Sequence, residues 1–208
     1  EDSQFEDGTT HPPLLSYAHG IAGVAICFSR YAKQYNDSFS KEWVFKTFDL
    51  LDQYYDSDRQ YWPDMRCCND SKALKDVIAQ PPAWCGGHVG IGLFYIECIE
   101  QWPELKELAL DRLQKAVYVT KKTAQSNHQV PNLYCGFYGD LDLLVEINNR
   151  LPNVLPTATD PIIQTLLNKL PTCQFDANFV SLFRGMPSFL YCHMRAHHAK
   201  DMPSAIFW

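Results

Sequence analysis

Two cysteines sit beside glycine turns that open onto apolar patterns: Cys85 in Trp84–Gly90 (WCGGHVG) and Cys135 in Leu133–Gly139 (LYCGFYG). A thiolate is both a nucleophile and a soft metal ligand, so cysteines placed this way point to metal or thiol chemistry. Aligned on their glycines, two more turns fall into register, Tyr17–Gly23 (YAHGIAG) and Leu182–Ser188 (LFRGMPS). The anchor glycines Gly20, Gly87, Gly136 and Gly185 are 67, 49 and 49 residues apart. A fixed period of this size marks a repeat architecture, in which each unit buries its apolar face against its neighbours. The longer first interval reads as one insertion. Just ahead of the anchors stand Ala18-His19, Cys85-Gly86, Tyr134-Cys135 and Phe183-Arg184. Side chains with chemistry thus recur at one structural position, which in a closed array can face a common centre.

Helical patterns position these turns. After His19-Gly20 the residues Ile21, Val24, Ala25, Phe28, Tyr31 and Ala32 form a stripe with a period near 3.6. A second helix is predicted over 41–55, with Ser40 as its N-cap. Residues 56–83 hold no clean period and form the insertion, which contains Trp62-Pro63 and Cys67-Cys68. The second unit runs through Ile91, Phe94 and Ile99 to Pro103, then through Leu105, Leu108, Leu113 and Val117. The third follows with Leu141, Leu144 and Ile147, and then a helix that Asp160 caps with Pro161 at its first position. The fourth runs from Gly185 to about His198. Each unit is a glycine turn, an inner helix, a loop and an outer helix. That predicts an all-α array of helical hairpins, four in number, behind a loose acidic lead-in over residues 1–13.

Composition bounds the partners. The chain has 208 residues, 46% hydrophobic and 20% charged, enough to bury a core in one domain. Net charge is −6 with no lysine or arginine run, which argues against nucleic acid and anionic membrane as partners. No apolar stretch reaches a transmembrane length. The chain opens on Glu-Asp-Ser, and the expectation is a fragment of a longer protein. Eight cysteines without a secretory signal point to a reducing, cytoplasmic setting. Cys27, Cys98, Cys173 and Cys192 read as small buried apolar residues, and Cys67-Cys68 as incidental sequence of the insertion. His193 and His197 stand i, i+4 on a helix, a spacing that can hold metal but that a solvated face explains equally.

The order AHGIAG, WCGG, a Cys-Gly turn and a final MPSAIFW resembles the lanthionine synthetase C-like family. It is most similar to the cyclase half at the carboxyl end of class II lanthipeptide synthetases. Tyr61–Arg66 is similar to the segment ahead of that family's WCHG motif, and the resemblance spans about residues 14–208. It implies an α/α toroid of seven hairpins, of which this chain holds about the last four. The upstream part of the synthetase is then a missing partner. It also implies an enzyme that closes thioether rings in a precursor peptide, adding a zinc-activated cysteine thiolate to dehydroalanine or dehydrobutyrine.

Carried over position by position, the resemblance makes Cys85 the first zinc ligand and places Cys135 where the family has a histidine ligand. Tyr134 stands where a second cysteine is expected. Cys67, Cys68 and His88 are candidates for a third ligand. His19 matches the active-site histidine of the AHG motif and is a candidate acid or base. Arg184 holds the inward register position and could meet acidic groups of the peptide or make a surface salt bridge. Two other readings stand beside the cyclase. One is a toroid fragment that lacks catalysis and binds peptide or packs as a structural module, motivated by Tyr134. The other is an α/α-toroid carbohydrate enzyme, against which Cys, His and Arg replace paired acids at the register positions.

Overall fold

The computed structural model describes residues 3–4, 10–11, 13–65, 84–125, 130–169 and 180–207. Among these, seven helices follow one another: α1 (Ile21–Tyr35), α2 (Ser38–Gln53), α3 (His88–Gln101), α4 (Lys106–Ala124), α5 (Phe137–Arg150), α6 (Pro156–Lys169) and α7 (Met186–His197). The stretch read as lead-in carries a short antiparallel pair, β1 (Ser3–Gln4) and β2 (Thr10–His11), with Ser3 opposite His11. Apart from that pair the fold is all-α. Helices α1–α2, α3–α4 and α5–α6 pack as hairpins, and the first helix of each also packs on the next, α1 on α3, α3 on α5 and α5 on α7. An inner and an outer row result, which is part of an α/α toroid. The fourth unit holds its inner helix α7 and, after it, a tail that folds back.

Burial follows position in the row. Helix α3 is apolar nearly all round, and every residue from His88 to Ile99 is buried, because α1, α4 and α5 surround it. Helix α5 is buried from Phe137 to Ile147 for the same reason. The end helices bury one side only. Helix α1 buries Ala22, Ala25, Ile26, Ser29 and Ala32, while Val24 and Tyr31 of its predicted stripe are 55% and 51% exposed. On α7, Ser188, Tyr191, Cys192 and Arg195 face inward and Met186, Leu190 and Met194 face out. Along the open side of α1 and α2 runs a groove of about 1390 Å³ lined by Tyr17, His19, Val24, Phe28, Phe39 and Trp43.

Two helix starts differ from the sequence reading. The N-cap of α2 is Asp37, not Ser40: the Asp37 carboxylate accepts the Ser40 amide at 2.7 Å, so the helix begins earlier. Helix α6 begins at Pro156 and carries Pro161 inside it. Asp160 does not cap it, because its carboxylate reaches across the hairpin to accept from Asn148 Nδ2 at 2.7 Å. In the described part of the insertion, Trp62 is 3% exposed and its Nε1 donates to Leu51 O at 2.9 Å.

Charged groups inside the helix rows pair with one another and with neighbouring hydroxyls. Glu97 accepts from Ser29 Oγ at 3.0 Å and pairs with Arg30 at 3.3 Å. Asp142 accepts from Tyr191 Oη at 3.1 Å, from Arg195 Nε at 3.2 Å and from Ser204 Oγ. Arg195 also pairs with Glu146. These bonds fix the tail after α7: the Ala205 amide donates to Tyr191 Oη at 2.6 Å, and the Phe207 amide to Ser204 Oγ at 2.9 Å. Phe207 is 1% exposed, with the Arg150 guanidinium 4.5 Å from its ring centre and that of Arg30 at 5.4 Å.

Candidate functional site

Every inner helix begins at an anchor glycine. Gly20, Gly87, Gly136 and Gly185 are the N-caps of α1, α3, α5 and α7, all with extended backbone. The reason for glycine is close approach. A Cβ at Gly20 would lie 2.5 Å from Leu14 O and Ser16 N, and one at Gly136 would lie 2.8 Å from the Asn132 amide nitrogen and oxygen. The turns are also bonded in series. Ser16 Oγ is 3.0 Å from Trp84 O and 2.7 Å from Gly87 O, tying the first turn to the second. The Cys85 amide donates to Tyr134 O at 3.4 Å, and the Leu133 amide to Phe183 O at 2.9 Å, tying the second to the third and the third to the fourth.

This series brings the register side chains together. The sulfurs of Cys85 and Cys135 are 3.5 Å apart. Cys85 is 1% exposed, and Cys135 is half-buried, its amide donating to Asn132 Oδ1 at 2.7 Å. The Tyr134 hydroxyl bonds His19 Nε2 across the rim. The Arg184 guanidinium lies 4.6 Å from the centre of the Tyr134 ring, a cation–π contact. Trp84 supports the group from beneath, 5.5 Å from Phe183 in a stacked pair and 6.0 Å from Tyr134. Burial, followed by the nearby sulfurs of Cys85 and Cys135, raises the Tyr134 phenol above its ordinary range. Four residues singled out from four different turns, His19, Cys85, Cys135 and Arg184, thus stand around one tyrosine.

His88 does not join them. It opens α3 and is buried, and its Nε2 is 2.9 Å from both Asp140 Oδ1 and Thr120 Oγ1 on the core side. That nitrogen serves the core and does not face the rim sulfurs. Burial pushes the Asp140 carboxyl up, against the opposing pull of His88. Cys67 and Cys68 lie outside the described residues, as does Cys173. Cys98 and Cys192 are buried as expected, whereas Cys27 is exposed on the open side of α1. His193 and His197 are exposed, with ring centres 4.9 Å apart, on a solvated face. Among the described residues no group of three or more His, Cys, Asp or Glu side chains is placed to hold a metal. The two rim sulfurs suit two corners of a tetrahedral thiolate site, and the residue at the third register position is a phenol.

The sequence reading did not single out Asp140, Asn132 or Ser16. Asp140 left a trace, an acid one turn into an apolar helix, where only a buried partner makes a carboxylate tolerable.

The fold and rim define a class: helical-hairpin toroids whose inner rim carries cysteine and histidine at the starts of the inner helices. The chain belongs to the lanthionine synthetase C-like family, whose model matches residues 3–206. No curated protein matches it significantly. Among solved structures it is similar to nisin cyclase, with a TM-score of 0.67 and 16% identity over 91% of this chain and 48% of that one. The chain therefore spans about half the length of nisin cyclase. It is also similar to a family 88 glycosyl hydrolase from Bacteroides vulgatus (TM-score 0.51, 15% identity, 78% of this chain and 50% of that one). A polysaccharide lyase aligns with a TM-score of 0.58 at 13% identity, over 94% of this chain and 65% of that one. Identities this low speak to the fold alone, and the family assignment rests on the family model. Among the described residues no helix is long and apolar enough to cross a membrane.

Proposed function

We infer that the chain is the carboxyl-terminal part of a peptide cyclase that forms lanthionine or methyllanthionine rings in a precursor peptide. The observation that carries this reading is the meeting of Cys85, Cys135 and His19 on one rim in a chain of this family. Cys85 and Cys135 would hold zinc through their sulfurs, leaving positions open toward the rim. Bound zinc supplies a Lewis acid that keeps a substrate cysteine as thiolate near neutral pH. His19, exposed at the rim, would hold a proton and deliver it to the carbon left negative when a thiolate adds to dehydroalanine or dehydrobutyrine. Arg184, exposed on the fourth turn, would meet carbonyl or acidic groups of the peptide. The upstream part of the toroid is the second partner in this reading.

Metal analysis after gel filtration tests it. The full chain is expected to retain stoichiometric zinc, and Cys85→Ala and Cys135→Ala each to lose it. A helical, zinc-free protein from zinc-supplemented medium would sink the metal reading.

A second reading rests on Tyr134, whose hydroxyl engages His19 and whose register position in the family belongs to a ligand. In it the toroid binds the peptide and closes no ring. A dehydrated peptide presented to the chain together with its upstream part separates the two. Loss of an alkylatable peptide thiol supports the cyclase, whereas binding with every thiol retained supports the second reading.

A further inference from the structure

The two rim cysteines have a second chemistry that needs no metal. We propose that Cys85 and Cys135 form an oxidisable dithiol, which closes to a disulfide by exchange with a small-molecule disulfide and is then shut to metal and to thiolate chemistry. The sulfurs are already in contact at 3.5 Å. A disulfide bond of about 2.05 Å asks for an approach of about 1.5 Å, within the range of side-chain rotation and slight backbone give. The fold holds the pair at this spacing from two directions. The Cys85 amide is bonded to Tyr134 O at 3.4 Å, one residue from Cys135. Behind it, His88 in the first turn of α3 is clasped to Asp140 in the first turn of α5 at 2.9 Å, fully buried. Two thiols fixed in this way have a high effective concentration for each other, which favours ring closure over two separate adducts.

Their unequal exposure sets the order of events. Half-buried Cys135 meets the reagent, and its sulfur attacks one sulfur of RSSR and expels RS⁻. Cys85, 1% exposed, then attacks the Cys135 sulfur of the mixed disulfide and expels the second RS⁻. The protein loses two protons and two electrons, and RSSR becomes two RSH. The other described cysteines provide the contrast. Cys98 and Cys192 are buried, and burial pushes both thiols well up, which leaves them inert. Cys27 is exposed on α1, without a described cysteine partner, and stops at the mixed adduct.

The experiment treats the full, metal-free chain with 2-hydroxyethyl disulfide, quenches with an alkylating reagent and maps the peptides by mass spectrometry. The expected result is a peptide pair joined through Cys85 and Cys135, free of hydroxyethyl adduct and released by dithiothreitol, while Cys27 carries one adduct. In Cys85→Ser, Cys135 is expected to stop as the mixed adduct. Circular dichroism checks that both proteins stay helical. Separate adducts on Cys85 and Cys135, or both of these two thiols still alkylatable once Cys27 is converted, would overturn the proposal. It stands apart from the zinc reading. Zinc bound by reduced protein that never cross-links sinks only the dithiol, and cross-linking without zinc affinity sinks only the metal.

Discussion

Tyr134 touches four of its neighbours at once: its hydroxyl bonds His19, its ring lies under Arg184, and the sulfurs of Cys85 and Cys135 add to the burial that raises its phenol. A sulfur at this position would give the rim a third thiolate. Tyr134→Cys is expected to tighten zinc binding by at least about tenfold, or about 1.4 kcal/mol, in competition with a chromophoric chelator. Unchanged affinity would mean that the position does not project toward the metal. Glu97 offers a test of buried charge away from the rim. Burial raises its carboxyl above the ordinary range, against the pull of Arg30 and Ser29. A raised carboxyl contributes stability that is full below its unfolded value and fades as pH rises through the folded one. Glu97→Gln keeps the shape and lacks the titration. The variant should therefore gain on the parent in thermal melts as pH rises above about 4, the ordinary glutamate range. A constant or reversed difference would contradict the assignment. At this scale the sequence revealed which residues share the rim, because the glycine register is a property of spacing. It hid the role of His88, because whether a histidine faces a rim or a core depends on Thr120 and Asp140, which come from two other helices.

Helices α3 and α5 are enclosed and α7 is half open, so equal substitutions in them should cost unequal amounts. Leu144→Ala on α5, at a site 0% exposed, is expected to cost about 2–5 kcal/mol in denaturant titrations. Leu190→Ala on α7, 51% exposed, should cost under about 0.5 kcal/mol. Comparable losses would mean that α7 is covered in solution. The helices themselves were legible, since apolar spacing fixes their period and glycine or proline their neighbourhood. Their first residues were less so. Asp37 and Ser40 are both good caps, and the choice turned on which carboxylate or hydroxyl could reach an orphan amide. At Asp160 the competing attraction was Asn148 on another helix, which local pattern does not contain.

The whole arc ends in two apolar faces. One carries Val24, Phe39 and Trp43, the other Met186, Leu190 and Met194, all at least 40% exposed. Repeat arrays usually end in polar caps, and faces such as these associate when left bare. The chain by itself is expected to sediment as more than a monomer, and Trp43→Glu with Leu190→Glu to shift it toward the monomer. A monodisperse parent with a sharp cooperative melt would count against this. That the arc is open was readable from the number of glycine turns. Which residues line the openings was not, because Val24 and Tyr31 obey the same helical period as the buried positions beside them.

The latch of Phe207 over Arg30 and Arg150 bears on how the protein forms. Within an array of hairpins most contacts are local, which favours rapid assembly unit by unit. This one joins the last described residue to the first helix and spans almost the entire chain. Closing so long a loop is entropically unfavourable until the intervening units are in place, so the latch should form after the rate-limiting barrier. A contact made that late governs escape from the native state more than arrival in it. Phe207→Ala should accordingly steepen loss of structure in unfolding kinetics while leaving the refolding rate nearly unchanged, giving the tail the part of a kinetic lock.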